Sequence, residues 1–279
     1  MNASLSWVEI SKSALIHNAK QLRKVLIAAP TKLGRASPTK SGRVSLMAVV
    51  KSNAYGHGAF AVSSTLEDYV DSFGTANGTE ALTLRQFGIK KPILVLNYYR
   101  ADQVKSLIER HIALVVYDLK QAKLIAETAS KLKKKAKVHI KVGTGLSRLG
   151  VYAKDAVGFV KQVSKFSQLE IEGIFSHFAS SEDDPAFTVI QLNHFRSIIE
   201  ALEQNLIFIP VKHIACTASA LSVPESHFDL VRIGIGLYGL QSYKSIHSLI
   251  QKANPGFNLQ PALTWKAKVL AVKEIPKGA

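Results

Sequence analysis

The chain has 279 residues, 47% hydrophobic and 20% charged, which allows one large core or a core plus a small second domain and excludes a collagen-like or disordered composition. Its formal net charge of +16 suits polyanions or phosphorylated small molecules, yet no zinc-finger spacing, aromatic-basic interleaving or long basic tail points to nucleic acid. Cys216 is the one cysteine, and there is no secretory-type start or run of about eighteen apolar residues. Neither a disulfide framework nor a membrane span is expected, and a soluble cytoplasmic protein is the default.

In chain order, residues 1–10 contain the strand-like SWVEI, which is expected to pair with a later β segment. The amphipathic SKSALIHNAKQLRKVLIAA predicts a helix, and PTKLGRASPTKSGR, residues 30–43, reads as a flexible polar loop. Apolar or β-branched runs then predict strands at 45–51, 72–76, 92–96, 112–117, 138–142, 171–177, 208–215 and 230–234. Helical patterns lie between them near 58–68, 78–87, 101–110, 119–133, 154–166, 186–203 and 217–222. In the sixth of these, Phe187, Ile190, Phe195, Ile198 and Leu202 fall close to one helical face, with Pro185 at the start. Asn77 and Asp118 stand where strand gives way to helix, as capping residues do.

The strands are continuous apolar runs rather than alternating ones, which is how parallel strands covered on both faces read. Eight of them separated by crossover helices predict a (β/α)8 TIM barrel over residues 11–241, with an open doubly wound sheet as the alternative. Residues 242–279 read as a linker and the start of a truncated C-terminal β domain, with strand-like alternation over 263–272.

On such a barrel, functional residues gather at the carboxyl ends of the strands. Lys51 closes the apolar run SLMAVV, either as a solvated strand end or because its nitrogen has a chemical task. Arg148 follows the fifth run in KVGTGLSRLG, and His177 ends the sixth in FSHFASSEDD. CTASA follows the seventh, and RIGIGLYG closes the eighth with Gly234, Gly236 and Gly239. Glycines and Thr217 at this end of a barrel suit a phosphate site. Several such residues on one rim predict a pocket. The histidines are scattered without metal-ligand spacing, so no metal site is expected.

MAVVKSNAYGHG resembles the cofactor-lysine signature of the alanine racemases, fold-type III enzymes that use pyridoxal 5′-phosphate (PLP). KVGTGLSRLG, SHFASSED and VRIGIGLYG resemble the later blocks of that family in the same order, over nearly the whole chain. The resemblance implies that Lys51 bonds the cofactor aldehyde and then carries the α-proton of an amino acid. It assigns phosphate contacts to Tyr55, Thr217, Gly234 and Ile235, and the pyridine nitrogen to Arg232. Arg148 is matched to the substrate carboxylate, His177 to the cofactor ring and Lys141 to a lysine often carbamylated in the family.

The implied activity is interconversion of L- and D-alanine, which supplies D-alanine for cell-wall peptidoglycan, in a homodimer. The chain departs from the pattern at Gly143, Leu146, Ser147 and Cys216, where aspartate, methionine, glycine and asparagine are usual. These positions bear on substrate preference and on the support of Arg148. Family members carry their second base, a tyrosine, in a C-terminal β domain, whereas this sequence ends at IPKGA; none of Tyr55, Tyr152 and Tyr238 occupies that motif. Impaired turnover and weakened dimerisation are the corresponding expectations. A PLP-binding barrel of cofactor homeostasis, or a racemase for serine or lysine, is the alternative.

Overall fold

The computed structural model describes residues 4–28, 43–240, 244–253 and 255–279. The expected polar loop at 30–43 lies almost wholly outside the described residues. Strand β1 (Ser6–Ile10) and helix α1 (Lys12–Ala28) precede the barrel. Strand β2 (Ser45–Val49) leads into a short turn, α2 (Lys51–Tyr55), and helix α3 (Ala59–Leu66). Then come β3 (Ser72–Asn77), α4 (Gly78–Gln86), β4 (Ile93–Tyr98), α5 (Val104–Glu109), β5 (Ala113–Val116) and α6 (Leu119–Lys131). Strand β6 (Ala136–Gly143) is followed by the two-residue β7 (Val151–Tyr152), α7 (Ala156–Val163) and β8 (Leu169–Phe175). Helix α8 (Pro185–Gln204), β9 (Val211–His213), α9 (Thr217–Ser222) and β10 (Leu230–Ile233) complete the circuit.

All ladders between neighbouring barrel strands are parallel, in the order β10-β2-β3-β4-β5-β6-β8-β9. The gap between β9 and β10 is spanned by backbone bonds from Asp229 N–H to Lys212 O and from Arg232 N–H to Ala215 O, each 3.1 Å. The open doubly wound alternative is thereby discarded. Continuous apolar runs end up inside because helices cover one face of the sheet and the barrel interior covers the other: all four residues of β5 are buried.

Local signals place the joints. Asn77 accepts from Glu80 N–H at the start of α4, and Asp118 from Lys120 N–H at the start of α6. Pro185 opens α8 behind Asp184, whose carboxylate accepts Phe187 N–H at 2.9 Å. The buried face of α8 is Thr188, Gln191, Leu192, Phe195, Ile198, Ile199 and Leu202. Ile190, placed on that face from the sequence, is instead exposed, because it falls on the opposite side of the period. The first barrel strand stops at Val49, short of Lys51, and the seventh is only Val211–His213, with Phe208 exposed in the loop before it.

Beyond the barrel the expected linker contains a helix, α10 (Lys244–Ala253), which packs against α9 and buries Ile250. Strand β11 (Leu263–Ala267) covers only the first half of the predicted alternation and pairs antiparallel with β1, Val8 opposite Trp265. Gly239 turns left-handed (φ 82°) where Gln260 and Pro261 cross it, and a Cβ there would strike that backbone.

Candidate active site

A cavity of about 230 Å³ opens among the carboxyl ends of the strands. All nine residues singled out from the sequence line it: Lys51, Tyr55, Lys141, Arg148, His177, Thr217, Arg232, Gly234 and Ile235. Asn97, Phe175, Glu182 and Cys216 line it as well. Among the described residues no cluster of three or more His, Cys, Asp or Glu side chains is arranged to hold a metal.

Lys51 opens α2, which is not a right-handed helix. After Val50 the chain enters a left-handed turn in which Ser52, Asn53, Ala54 and Tyr55 all have φ between 52° and 55°. For non-glycine residues this conformation costs about 1–2 kcal/mol each, so neighbouring contacts must hold it. Gly56 (φ 85°) and Gly58 (φ 89°) release the chain into α3. The turn leaves Lys51 and Tyr55 on the same side, with Lys51 Nζ 5.6 Å from the centre of the Tyr55 ring. Burial, then Arg148, pushes the Lys51 amine below its ordinary range, while Glu80 pulls it back up.

Arg232 is buried and tightly held. Its Nη1 donates to His213 Nδ1 at 2.7 Å, and Nη2 donates to Ser176 O at 2.7 Å and Ile214 O at 2.9 Å. Nη2 also lies 3.3 Å from His177 Nδ1. Arginine has no acceptor, so His213 Nδ1 must accept and its Nε2 must carry the proton. That proton faces His139 Nδ1 at 3.0 Å, which in turn leaves His139 Nε2–H to donate to Glu172 at 3.2 Å. One directed line of hydrogen bonds therefore runs from the cavity through the barrel interior to a partly exposed carboxylate. Gly173 makes room for His139, since a Cβ there would overlap the imidazole. Burial first, and Arg232 second, hold His213 and His177 well below the ordinary histidine range, so both are neutral. The same burial lowers Arg232 to about 10, which leaves it charged at neutral pH.

Lys141 is 3% exposed and reaches only weak acceptors, Leu96 O at 3.4 Å and Asn97 Oδ1 at 3.3 Å. Burial, then Arg232 and Arg148, drops its pKa to about 7. Arg148 is exposed at the mouth, on the loop that carries the departures from the family pattern. Thr144 anchors this loop through a 2.8 Å bond between its hydroxyl and that of Ser176. Gln191, fully buried on α8, accepts Ala179 N–H at 2.8 Å and donates to His177 O at 3.3 Å and Thr144 Oγ1 at 3.4 Å. One glutamine thus ties the Arg148 loop to the segment after β8. Gln191 and His213 were missed in the sequence because a lone amide on a helix and a lone histidine in a short strand carry no local signal.

Opposite the cations lies a narrow cradle. Gly234 N–H donates to Thr217 Oγ1 at 3.1 Å, so threonine keeps a hydroxyl at this place. A Cβ on Gly234 would come within 2.5 Å of the Tyr55 hydroxyl, and only hydrogen fits there. Cys216 takes a structural part: its N–H donates to Ser219 Oγ at 3.0 Å, and its Sγ lies 3.4 Å from Ser181 Oγ. With Lys51, Lys141, Arg148 and Arg232 on its walls and Glu182 as the acid among the lining residues, the cavity favours an anion. A half-buried amine beside a hydroxyl-and-glycine cradle fits the phosphate and aldehyde of PLP.

Comparison with known proteins gives a consistent picture. Residues 10–242 match the family described as alanine racemase, N-terminal domain. A curated alanine racemase of Methanococcus maripaludis is 39% identical over 97% of this chain and 68% of its own length. An alanine racemase of Clostridium difficile 630 in complex with cycloserine superposes with a TM-score of 0.86 at 29% identity, over 98% of this chain and 71% of that one. A histidine racemase of Leuconostoc mesenteroides superposes with a TM-score of 0.81 at 29% identity, over 97% and 68%. The chain spans about two thirds of the length of the curated relatives it matches.

Proposed function

The chain belongs to the alanine racemase family, and on that premise we propose that it binds PLP at Lys51 and acts on alanine, exchanging its α-proton in the interconversion of the L and D forms that supplies D-alanine for peptidoglycan. The observation that carries this reading is the half-buried Lys51 amine opening on the same cavity as the Tyr55–Thr217–Gly234 cradle.

Bound PLP supplies an aldehyde that captures an amine and a ring that draws electron density from the Cα–H bond. The residues of this chain do the rest. Tyr55, Thr217 and the N–H groups near Gly234 and Ile235 would hold the phosphate. Arg232, fixed by His213 and two carbonyls, would face the ring nitrogen and, being charged, keep a proton off it. Arg148 at the mouth suits a bidentate grip on the substrate carboxylate. Lys51, its amine eased toward the neutral form by burial and Arg148, would take the α-proton at Nζ on one face.

Inversion also requires a proton delivered to the other face. Tyr238 is occupied in a bond to Val49 O at 3.1 Å and Tyr152 is exposed to solvent, so we assign Lys51 the proton exchange on one face and neither tyrosine the other. Titrating the protein with PLP is expected to give a visible absorption band that Lys51→Ala abolishes. Hydrogen exchange at Cα and D/L inversion are then measured separately on alanine, serine, lysine and histidine. A band that survives Lys51→Ala, or exchange on none of the four, overturns the reading.

A further inference from the structure

The left-handed turn after Lys51 poses a question that the cavity itself does not answer: what keeps four strained residues in place. Its interior N–H groups find acceptors locally, with Ala54 donating to Val50 O at 2.9 Å and Gly56 to Ser52 O and Asn53 O at 3.1 Å. Its far end is pinned by Asn53 Oδ1, which accepts Ala59 N–H at 2.8 Å. The first strained residue is held from outside. Ser52 N–H donates to Glu80 Oε1 at 2.8 Å, across from another βα loop of the barrel. The other oxygen of the same carboxylate accepts Ala76 N–H near the end of β3, also at 2.8 Å.

Glu80 occupies the third position of α4 behind the capping Asn77, which takes the Glu80 N–H at 3.0 Å. In the usual reciprocal cap the acid turns back to the N–H of the capping residue. Here it reaches one residue further back, to Ala76, and spends its second oxygen on the Lys51 turn. A helix cap has thereby become a brace between two loops of the rim.

We propose that Glu80 is a positioning residue for Lys51: its carboxylate bridges Ser52 and Ala76 and so holds the left-handed turn that aims both Lys51 and Tyr55 into the cavity. The function of the brace rests on the assignment of Lys51 as the cofactor lysine; the brace itself rests on geometry alone. Glu80 is also an acid acting on the Lys51 amine, and it opposes the lowering of the Lys51 pKa that burial and Arg148 produce.

The test uses the cofactor-free protein first. Backbone hydrogen exchange of the 52–56 segment is compared in wild type, Glu80→Ala and Glu80→Gln, with β5 and β6 as internal references. The alanine variant is expected to lose about tenfold or more protection in the turn and none in β5 and β6, the scale set by losing hydrogen bonds to a charged carboxylate. Glutamine keeps one acceptor oxygen and should recover part of that loss. With PLP added, the affinity read from the visible band should fall in the same order, alanine more than glutamine. Unchanged exchange in the turn of Glu80→Ala overturns the proposal, and so does an equal loss in β5 and β6. Should Glu80→Ala fail to fold, Glu80→Gln decides: a loss confined to the turn supports the brace and no loss overturns it. A Lys51→Ala protein that still gives the band would refute the cofactor assignment while leaving the exchange result to stand or fall separately.

Discussion

Arg232 Nη1 and His213 Nδ1 lie 2.7 Å apart, and both side chains are buried. Because the arginine can only donate, the bond dictates the tautomer of His213 and, through it, those of His139 and the donor facing Glu172. The cation at the cavity is thus linked through two histidines to the Glu172 carboxylate.

Replacing His213 with phenylalanine keeps an aromatic ring stacked on Phe175, whose ring lies 4.8 Å away and nearly parallel, and removes both the acceptor for Arg232 and the donor to His139. Leaving a buried guanidinium N–H without a partner is expected to cost about 1–3 kcal/mol. Urea denaturation of the cofactor-free protein measures this. The PLP absorption maximum should shift as well, since Arg232 loses its fixed direction.

Gly234→Ala tests the cradle. The backbone at this position has φ −105° and ψ −99°, outside the broad regions that any residue adopts. The added Cβ would also meet the Tyr55 hydroxyl. PLP affinity is expected to fall by about tenfold or more, with a loss of stability of about 1–3 kcal/mol from the overpacked methyl. Adding Tyr55→Phe to that variant removes the colliding oxygen, and the double mutant should lose less affinity than the two single effects sum to.

Lys141 makes stability depend on pH in a defined window. Its pKa falls from 10.5 unfolded to about 7 folded, so between those values the unfolded chain binds more protons. Stability of the cofactor-free protein should therefore rise with pH from about 7 toward 10 on account of this group, and this contribution should be level below about 7, where both states carry the proton. Lys141→Met, similar in length and uncharged, is expected to flatten that rise in melts taken across the window. A wild-type slope that survives the substitution would reject the assignment.

Gln191→Leu cuts the tie between the Arg148 loop and the segment after β8. Ala179 N–H then lacks its acceptor and Thr144 one of its neighbours. The expected signature is a KM for amino acid raised about tenfold with a smaller change in kcat, because carboxylate binding depends on where that loop sits. Equal losses in both constants would point to a general effect on folding.

The eight barrel strands and eight of the helices could be read along the chain because each is specified locally, by apolar runs, by period and by caps such as Asn77 and Asp118. Helix α10 is not expected from the sequence because it is short and stands outside the repeating strand-helix pattern, although Ile250 is buried. Ile190 is exposed because an apolar side chain does not by itself say which face of the helix the neighbours cover.

The alternation of strand and helix is legible along the chain, and so is the appearance of Lys51, Lys141, Arg148, His177 and Arg232 at or near strand ends, since a parallel barrel sends every such end to one rim. How those ends are held depends on contacts made in three dimensions. The brace by Glu80, the tie at Gln191 and the line from Arg232 to Glu172 each join residues far apart in the chain. No local pattern encodes them, because a hydrogen bond across the barrel depends on the distance between two strands and on space left by residues such as Gly173.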